Sequence, residues 1–427
     1  MGGLATALSL AKQGFTHVDV YESASGLGFV GAGIQLAPNM ARILDRLGVW
    51  KDIEAEAVDL QDTFIRRSLD GEQLAHVNLH HIRSQYGYPH MVGHRTSLAG
   101  SLYEGCKREK AVKFFFSTSA GEVLSWGPKP KLQMIPRSGD PYEIEADILL
   151  AADGVKSIVR DQLLRLGNVD AKIIDTGQAA YRIMLTREQM STDPELLQLI
   201  DREAVTRWIG EKRHIIAYPV SSKTIYNLST VQPDVNFAAA PSATYTTKGS
   251  KTEMLNVFAD FCPPVQRMLN MVKDGELCEW KLRVHEPLPF WVHEQTALVG
   301  DACHPTLPHL AQGAAQAIED AAVLGVVLGK LEDTSPAAIN KALQVYERVR
   351  KDRAYMLVNL AASSGRVLHL GDGADKEQRD AQFAALKSGK KAPMPDKWVD
   401  AEVQEMIYGV DIMHVADSQF STLYDEI

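Results

Sequence analysis

One segment near residue 300 constrains this chain more than any other, because it joins a buried strand to a carboxylate and then to a helix start. The apolar run 296–300 predicts a short strand that delivers Asp301 at its end, and a long apolar helix is expected to begin near Gln312. A carboxylate at a strand end accepts hydrogen bonds from sugar-alcohol hydroxyls, and free N–H groups at a helix start favour an electron-rich ring edge or an anion. Together these features suit a flavin.

The start of the chain predicts the second half of a dinucleotide-binding unit. Residues 2–12 have the pattern of an amphipathic helix ended by Gly14, and residues 18–22 that of a strand. A complete unit has an earlier buried strand and two further glycines, and an acidic residue after its second strand binds a ribose. Here only Gly3 and Glu22 remain of that pattern. We therefore expect a fragment or a truncated gene model that lacks the first strand, and its retention of flavin is open. A flexible start before an ordinary helix is the alternative.

The composition is that of an ordinary globular protein. The 427 residues, of which 45% are hydrophobic and 23% charged, are enough for two or three domains. The net charge of -9 argues against nucleic-acid binding and against a polybasic membrane surface. The 4 cysteines have no C-x-x-C spacing, which predicts reduced thiols and a cytoplasmic location. No apolar run is long enough for an integral membrane segment, and the histidines lack the ligand spacing of a metal site.

Three further segments place glycine or charge where a nucleotide could bind. The glycine-rich run 26–33 would let a planar ring lie against backbone, and it precedes a helix that carries Arg42. Arg95 opens another helix. A buried run ends in Asp153-Gly154 before a helix with basic residues, which suits hydroxyl groups and phosphates together. The plain alternatives are surface arginines and an ordinary Asp-Gly turn.

A strand-rich region from 178 to 231 predicts an antiparallel sheet that forms a substrate domain. His214 and Tyr218 are four residues apart on one predicted strand, so both side chains can point into one cavity. Half-buried packing residues are the alternative for this pair. Residues 234–249 predict a surface loop that could cover a pocket, and residues 371–397 predict a mobile connection.

In order and spacing, these motifs resemble the single-component flavoprotein aromatic hydroxylases, most closely the salicylate and 6-hydroxynicotinate hydroxylase branch. The resemblance covers nearly the whole chain from Gly2, including a terminal extension with Trp398, Tyr408 and Asp411. It implies that FAD contacts Gly3, Glu22, Gly33, Arg42, Arg95, Asp153, Gly154, Asp301, Gly313 and Ala314.

The resemblance also implies the chemistry. Such enzymes reduce FAD with NADH or NADPH, capture dioxygen as a C4a-hydroperoxyflavin and hydroxylate a small phenol or aromatic acid. His214 and Tyr218 would line the substrate pocket and help to remove a phenolic proton. Arg182 would bind a substrate carboxylate, although a surface arginine is the alternative. Two other outcomes stay open, namely a flavin epoxidase or oxidase of a secondary metabolite, and a flavin-free inactive homologue. The oligomeric state is also open.

The expected fold class is α/β with an α+β substrate domain. A Rossmann-like FAD-binding domain would carry an inserted substrate domain built on a mixed or antiparallel sheet. The predicted division is 1–63 (FAD-binding domain, first part), 64–93 (strands shared with the substrate domain), 94–175 (FAD-binding domain, second part), 176–280 (substrate domain), 281–370 (FAD-binding domain, third part with a long helix) and 371–427 (C-terminal extension).

Overall fold

The computed structural model describes residues 1–27, 32–170, 172–235 and 246–427, and it combines helices with sheets. The helices are α1 (Gly2–Lys12), α2 (Pro38–Arg46), α3 (Trp50–Glu56), α4 (His81–Tyr86), α5 (Arg95–Arg108), α6 (Ile158–Leu166), α7 (Arg187–Met190), α8 (Pro194–Asp201), α9 (Lys251–Val257), α10 (Pro263–Asn270), α11 (Gly313–Gly329), α12 (Pro336–Leu368), α13 (Ala374–Lys387), α14 (Ala401–Tyr408) and α15 (Ile412–Asp425). The strands are β1 (Val18–Glu22), β2 (Gly33–Leu36), β3 (Val58–Asp59), β4 (Asp62–Arg67), β5 (Gln73–Asn78), β6 (Met91–His94), β7 (Val112–Phe116), β8 (Thr118–Ser125), β9 (Lys131–Pro136), β10 (Tyr142–Glu145), β11 (Leu149–Ala151), β12 (Ile173–Thr186), β13 (Ala204–Gly210), β14 (Arg213–Val220), β15 (Ile225–Pro233), β16 (Thr246–Lys248), β17 (Cys278–His285), β18 (Val292–His293) and β19 (Thr296–Leu298). The predicted mixture of helices and sheets is confirmed.

The largest sheet has eight strands in the order β16-β17-β12-β15-β14-β13-β4-β5. Its neighbours are antiparallel except β13 and β4, which are parallel, so the sheet is mixed. β4 and β5 form a hairpin, and Gly71 adopts a φ of 73° in its turn, a conformation that glycine reaches without strain. Two distant chain segments therefore build one sheet.

A second group of strands carries the residues expected to contact a nucleotide. β1 pairs in parallel with β7, and β11 pairs in parallel with β19. β1 ends at Glu22, and Asp301 follows the end of β19 by three residues. β6, all but the last residue of which falls within the predicted shared segment 64–93, pairs with β2 and β3 and not with the large sheet. The apolar helix α11 packs against α1, α2 and α12, which places it in the centre of this part of the fold.

Local sequence signals explain where the long helix α12 begins. Ser335 caps α12 by accepting a hydrogen bond from the backbone N–H of Ala338, and Pro336 occupies its first turn. α12 then continues to Leu368, which agrees with the predicted packing helix. His369 lies directly at its carboxyl end. The first half of the 33-residue helix packs in the core of the nucleotide-binding part, and its second half packs with residues of the large sheet, so the helix connects the two.

The prediction of a mobile connection at 371–397 is wrong, because α13 forms there. α13 packs against β5, and its Phe383 and Arg379 are buried. Arg379 also donates hydrogen bonds to Asp380 and to the backbone carbonyl of Val367. Tertiary contacts therefore stabilise a helix whose own sequence shows poor periodicity.

Two expectations fall partly outside the described part of the chain. Residues 28–31 of the glycine-rich run and residues 236–245 of the expected pocket-covering loop are not described. Within the described ranges, none of the helices combines the length and apolar composition that crossing a membrane requires.

Candidate active site

Asp301 lies in the short turn Gly300–Ala302 after β19, where Gly300 has a φ of 63°. Asp301 is exposed to solvent although the surrounding protein desolvates it, so it lies on a concave surface that we name the Asp301 cleft, and its carboxylate has no hydrogen-bonding partner among the described residues. The surrounding protein raises the pKa of Asp301 by desolvation, while His304, Arg95 and the Met1 amine oppose this shift. The turn therefore presents a carboxylate whose acceptor oxygens are available to hydroxyl groups.

The first turn of α11 follows this carboxylate and has free backbone donors. Gln312 is the N-cap residue, and its side chain makes no capping hydrogen bond. The N–H groups of the first turn are thus open to a ligand. A Cβ added at Gly313 would lie 3.3 Å from Cγ2 of Thr306, so the loop packs closely on the helix start. The structure brings Asp301, Gly313 and Ala314 into the predicted strand-turn-helix order.

A buried ionic network fixes this helix start. Asp320 accepts hydrogen bonds from the Gly300 N–H at 2.8 Å, from His304 Nε2 at 2.6 Å and from Arg350 Nε at 2.8 Å. Asp320 therefore connects α11 to the turn that carries Asp301. The neighbouring Glu319 accepts from Arg350 at 2.6 Å and from Asn39 at 2.7 Å. Because each buried charge has a partner, the network holds the cleft in one geometry.

The network predicts a loss of stability in acid. Burial alone would raise the pKa values of Glu319 and Asp320, but Arg353 and Arg350 lower the pKa of Glu319 to about 2, and His304 and Arg350 lower the pKa of Asp320 to about 2. Ordinary carboxyl pKa values are roughly 4, so the stabilisation is complete above about pH 4.5 and is lost as the pH falls toward 2. We expect the melting temperature to fall over that window, and to fall less steeply in Glu319→Gln. Equal slopes in both proteins would contradict this account.

Two further predicted cofactor residues are Glu22, at the end of β1, and Gly3, in α1. Glu22 Oε1 accepts hydrogen bonds from the Ala24 N–H at 2.9 Å and from Ser23 Oγ at 3.2 Å. Burial and Arg95 lower the pKa of the Met1 amine, whereas Asp301 and Glu22 act in the opposite direction. The Met1 amine therefore lies within electrostatic reach of both predicted carboxylates. A Cβ on Gly3 would contact Ala152 at 3.4 Å, so α1 packs closely on the end of β11.

Asp153 and Gly154 form a turn after β11, in which Gly154 has a φ of 80°. Asp153 Oδ2 accepts hydrogen bonds from the N–H groups of Ile158 at 2.9 Å and Val159 at 3.3 Å. One carboxylate oxygen of Asp153 thus assists the N-cap residue Ser157, which accepts from the Arg160 N–H, at the start of α6. The other oxygen is the one that remains for a ligand hydroxyl.

His214 and Tyr218 lie on the same face of β14, as their spacing predicts, and both are buried. Two other imidazoles surround His214. His369 Nε2 lies 2.6 Å from His214 Nδ1, and the His309 ring centroid is 5.4 Å from that of His214. Burial lowers the pKa of His214 well below its usual value, with smaller contributions from His369, His309 and Arg207. His214 is therefore a neutral imidazole at pH 7.

Arg182 is a half-buried cation on β12 without a carboxylate partner among the described residues. Its guanidinium carbon lies 5.0 Å from the ring centroid of Trp280. Burial lowers the pKa of Arg182 to about 10, with a further contribution from Arg95 and an opposing one from Tyr218. The side chain stays protonated at pH 7, and it offers positive charge near Tyr218.

Gly33 joins the nucleotide-binding part to the large sheet. Its N–H donates to Asn227 Oδ1 at 2.7 Å, and an added Cβ would lie 2.5 Å from Asn227 Cγ and 2.6 Å from Tyr218 Cε2. These distances leave no room for a side chain. Gly33 thus brings the backbone of β2 directly against Tyr218.

Gly33→Ala is expected to lower the free energy of unfolding by about 1–3 kcal/mol, because the added methyl group overpacks this contact. Displacement of Tyr218 should also raise the KM of the substrate. Gly100→Ala, in α5, is the control, since an added Cβ there meets no atom within 4 Å. Thermal unfolding and steady-state kinetics measure both effects, and a Gly33→Ala protein equal to the control would contradict the assigned contact.

Arg95 acts electrostatically on two groups of predicted site residues, one around Asp301 and one around Arg182. Its charge acts on Asp301 and the Met1 amine on one side and on Arg182 on the other. Arg95 is exposed, and its side chain has no ion-pair partner among the described residues. The backbone gives a second connection, because the Arg95 N–H donates to the Ala32 carbonyl at 2.9 Å and the following Gly33 lies against Tyr218, so the start of α5 adjoins the face that carries Tyr218.

Comparison with known proteins decides the family. A family model described as an FAD binding domain matches residues 1–223, more than half of the chain. The protein 3-hydroxybenzoate 6-hydroxylase of Polaromonas naphthalenivorans (strain CJ2) is 31% identical over 414 residues, which cover 96% of this chain and 94% of that protein. The chain belongs to the FAD-dependent monooxygenases.

Other relatives support the assignment of this chain to the FAD-dependent monooxygenases. The 6-hydroxynicotinate 3-monooxygenase of Pseudomonas fluorescens is 30% identical over 363 residues, 83% of this chain and 86% of that protein. A solved salicylate hydroxylase in a substrate complex superposes with a TM-score of 0.76 over 99% of this chain and 95% of that chain, at 24% identity. At this identity the superposition supports the fold. The resemblance inferred from the motifs is confirmed.

The residues of this flavin monooxygenase fit its cofactor. The free acceptor oxygens of Asp301 suit the hydroxyl groups of a ribityl chain, and the uncapped first turn of α11 suits the electron-rich edge of the flavin ring. The position of Glu22 at the end of β1 suits a ribose. The chain would thus hold FAD through donors and acceptors that its own fold leaves available.

The expectation that Arg42 contacts FAD disagrees with the hydrogen bonds that its side chain makes in this flavin monooxygenase. The guanidinium donates to the backbone carbonyls of Val410 at 3.0 Å, Tyr408 at 3.0 Å and Tyr86 at 3.2 Å. Arg42 therefore anchors the C-terminal extension, and the neighbouring Arg46 forms an ion pair with Asp411. These carbonyls engage both terminal nitrogens of the guanidinium, which opposes the expected contact of Arg42 with FAD.

Sequence reasoning missed several residues that shape the site of the flavin monooxygenase. Arg350 and His369 lie on or beside α12, far in sequence from the groups they contact. Asn227 was also missed, although it contacts Gly33. One signal was available for Arg350, because adjacent acidic residues inside an apolar helix require buried cations. The sequence carries no such signal for His369.

Proposed function

We propose that the flavin monooxygenase hydroxylates a small phenolic ring, preferably one that carries a carboxylate, with NADH or NADPH and dioxygen as co-substrates. When bound, FAD takes electrons from the nicotinamide and activates dioxygen for the transfer of one oxygen atom. The observation that carries the proposal is that Arg95, whose charge acts on both Asp301 and Arg182, also donates its N–H to Ala32, next to the Gly33 that lies against Tyr218. This placement supports a ring bound on β14 in front of the cofactor.

His214 is the base in this proposal. Its imidazole is neutral, and Nε2 makes no hydrogen bond with the described residues. A phenolic hydroxyl that donates to Nε2 can therefore lose its proton, and the resulting phenolate is a stronger nucleophile toward oxygen transfer. Tyr218 lies on the same face, and burial raises its pKa far above neutrality, so its hydroxyl stays a hydrogen-bond donor.

Arg182 is the proposed anion-binding residue. A guanidinium that is largely desolvated and lacks an acidic partner is stabilised by a carboxylate, which accepts two parallel hydrogen bonds. Trp280 lies beneath the guanidinium and limits its orientation. The same positive charge would stabilise a phenolate. Relatives that act on 3-hydroxybenzoate and 6-hydroxynicotinate, by their names, support a substrate of this size and charge.

We also propose that the enzyme works in a cytosol-like, reducing compartment. Its cysteines, Cys106, Cys262, Cys278 and Cys303, are all free thiols, and the three that are buried pack as small apolar side chains.

A substrate panel tests the proposed function. The holoenzyme is mixed with phenols that have or lack a ring carboxylate, and NADH or NADPH oxidation, oxygen uptake and hydroxylated product are measured together. We expect coupled product formation with at least one phenolic acid, and a higher KM for the phenol that lacks the carboxylate. Product formed only from non-aromatic compounds would contradict the proposal and would favour an epoxidase or oxidase.

A further inference from the structure

His369 makes a contact with the proposed base that no motif predicts. Its Nε2 atom lies 2.6 Å from Nδ1 of His214, and the two ring centroids are 4.9 Å apart. The backbone of His369 is also fixed, because its carbonyl accepts a hydrogen bond from the Lys212 N–H at 2.9 Å. Lys212 belongs to the turn between β13 and β14, so the end of α12 and the strand of His214 are connected directly.

A hydrogen bond between two neutral imidazoles specifies their tautomers. One ring nitrogen must carry a proton, and the other must offer a lone pair. If His214 Nδ1 donates to His369 Nε2, then His214 Nε2 is left as an acceptor. That arrangement is the one a base requires, because Nε2 is the nitrogen without a described partner. His369 then carries its own proton on Nδ1.

The surroundings of the pair oppose the build-up of positive charge. The groups that face it are His309 and Arg207, and Arg207 forms an ion pair with Asp396 at 2.6 Å. His214 is only 3% exposed, whereas His369 is partly exposed. An imidazolium at the buried position is therefore unfavourable, and the partly exposed ring offers the route outward.

We propose that His369 is a positioning residue that holds His214 in the Nδ1–H tautomer and conducts the substrate proton away from the closed site. The phenolic O–H bond breaks as His214 Nε2 gains the proton, the His214 Nδ1 proton passes to His369 Nε2, and His369 Nδ1 releases a proton to solvent. One proton enters the pair and one leaves it, and no electron moves. The inference rests on the proposed function, since it requires His214 to act on a phenol.

The test compares His369→Phe with His369→Gln in the holoenzyme. Phenylalanine keeps the ring volume and removes the acceptor, whereas glutamine retains an acceptor oxygen. We expect His369→Phe to lower kcat by about 10–100-fold, with KM changed by less than about threefold, and His369→Gln to restore part of kcat. The ultraviolet spectrum of the bound substrate without NAD(P)H should change from phenolate to phenol in His369→Phe. In ¹⁵N-histidine spectra, the Nδ1–H signal of His214 should be lost.

Two comparisons distinguish a failure of the proposed role of His369 from a failure of the proposed function. His76→Phe, at the outer edge of the large sheet, is the control and should leave kcat and the bound-substrate spectrum unchanged. If His369→Phe matches this control while His214→Asn loses hydroxylation, the role of His369 is wrong and the base assignment stands. If both variants match the control, the proposed function of His214 falls as well. A His369→Phe effect confined to KM or flavin content would indicate a structural role and would also overturn the inference.

Discussion

Replacement of His214 by asparagine is expected to lower kcat for ring hydroxylation by about 10²–10⁴-fold, the usual contribution of a positioned general base. Asparagine keeps a polar group at this buried position, but its amide cannot accept a proton at neutral pH. The flavin should still accept electrons from NAD(P)H, because His214 contacts the substrate and lies outside the Asp301 cleft in this account. Steady-state turnover and anaerobic flavin reduction, measured separately, distinguish the two steps.

The matched comparison for His214→Asn is His76→Asn, since His76 lies in the same sheet and is exposed. Its kcat should equal that of the unmodified enzyme. A His214→Asn enzyme with full hydroxylation would remove the general base from the mechanism. Equal losses in flavin reduction and in hydroxylation would instead indicate that the substitution damages the fold.

Asp301→Ala is expected to weaken FAD binding by about 10–100-fold. Hydrogen bonds to a charged group contribute roughly 1.5–3 kcal/mol each, and the Asp301 carboxylate has no described partner that would compete for them. Visible absorbance after purification and FAD titration of the apoprotein, followed by fluorescence, measure the effect. The network of Asp320 and Arg350 remains intact in this variant, so its melting temperature without FAD should change little.

Two other aspartate variants serve as comparisons for the FAD affinity and stability of Asp301→Ala. Asp147→Ala alters an exposed side chain and should leave FAD affinity unchanged. Asp153→Ala removes a carboxylate that accepts from the first N–H groups of α6 and should cost about 1 kcal/mol of stability, although Ser157 remains as the N-cap residue. FAD affinity that is the same in Asp301→Ala and Asp147→Ala would exclude Asp301 as a cofactor ligand.

The parts of the site that depend on local sequence could be predicted. Asp301 and the start of α11 follow from one continuous pattern of strand, turn and helix. The shared face of His214 and Tyr218 follows from strand alternation alone. In each case the relevant distance in sequence is short, so backbone periodicity fixes the geometry.

The parts that depend on distant contacts could not be predicted. Arg42 has the appearance of a cofactor residue in its motif, but the C-terminal extension supplies two carbonyl acceptors for it and Tyr86 supplies a third. α13 depends on burial of Phe383 against the large sheet, which no local pattern indicates. His369 reaches His214 only because α12 ends beside the turn between β13 and β14.

Product analysis under ¹⁸O₂ tests the central claim most directly, namely that one site on this chain joins FAD to a phenolic ring. The holoenzyme is supplied with NADH or NADPH and the best phenolic acid of the panel, and the product is examined by mass spectrometry. The account predicts one labelled oxygen atom on the ring for each nicotinamide oxidised. Nicotinamide oxidation that yields only hydrogen peroxide, with every aromatic substrate recovered unlabelled, would contradict it.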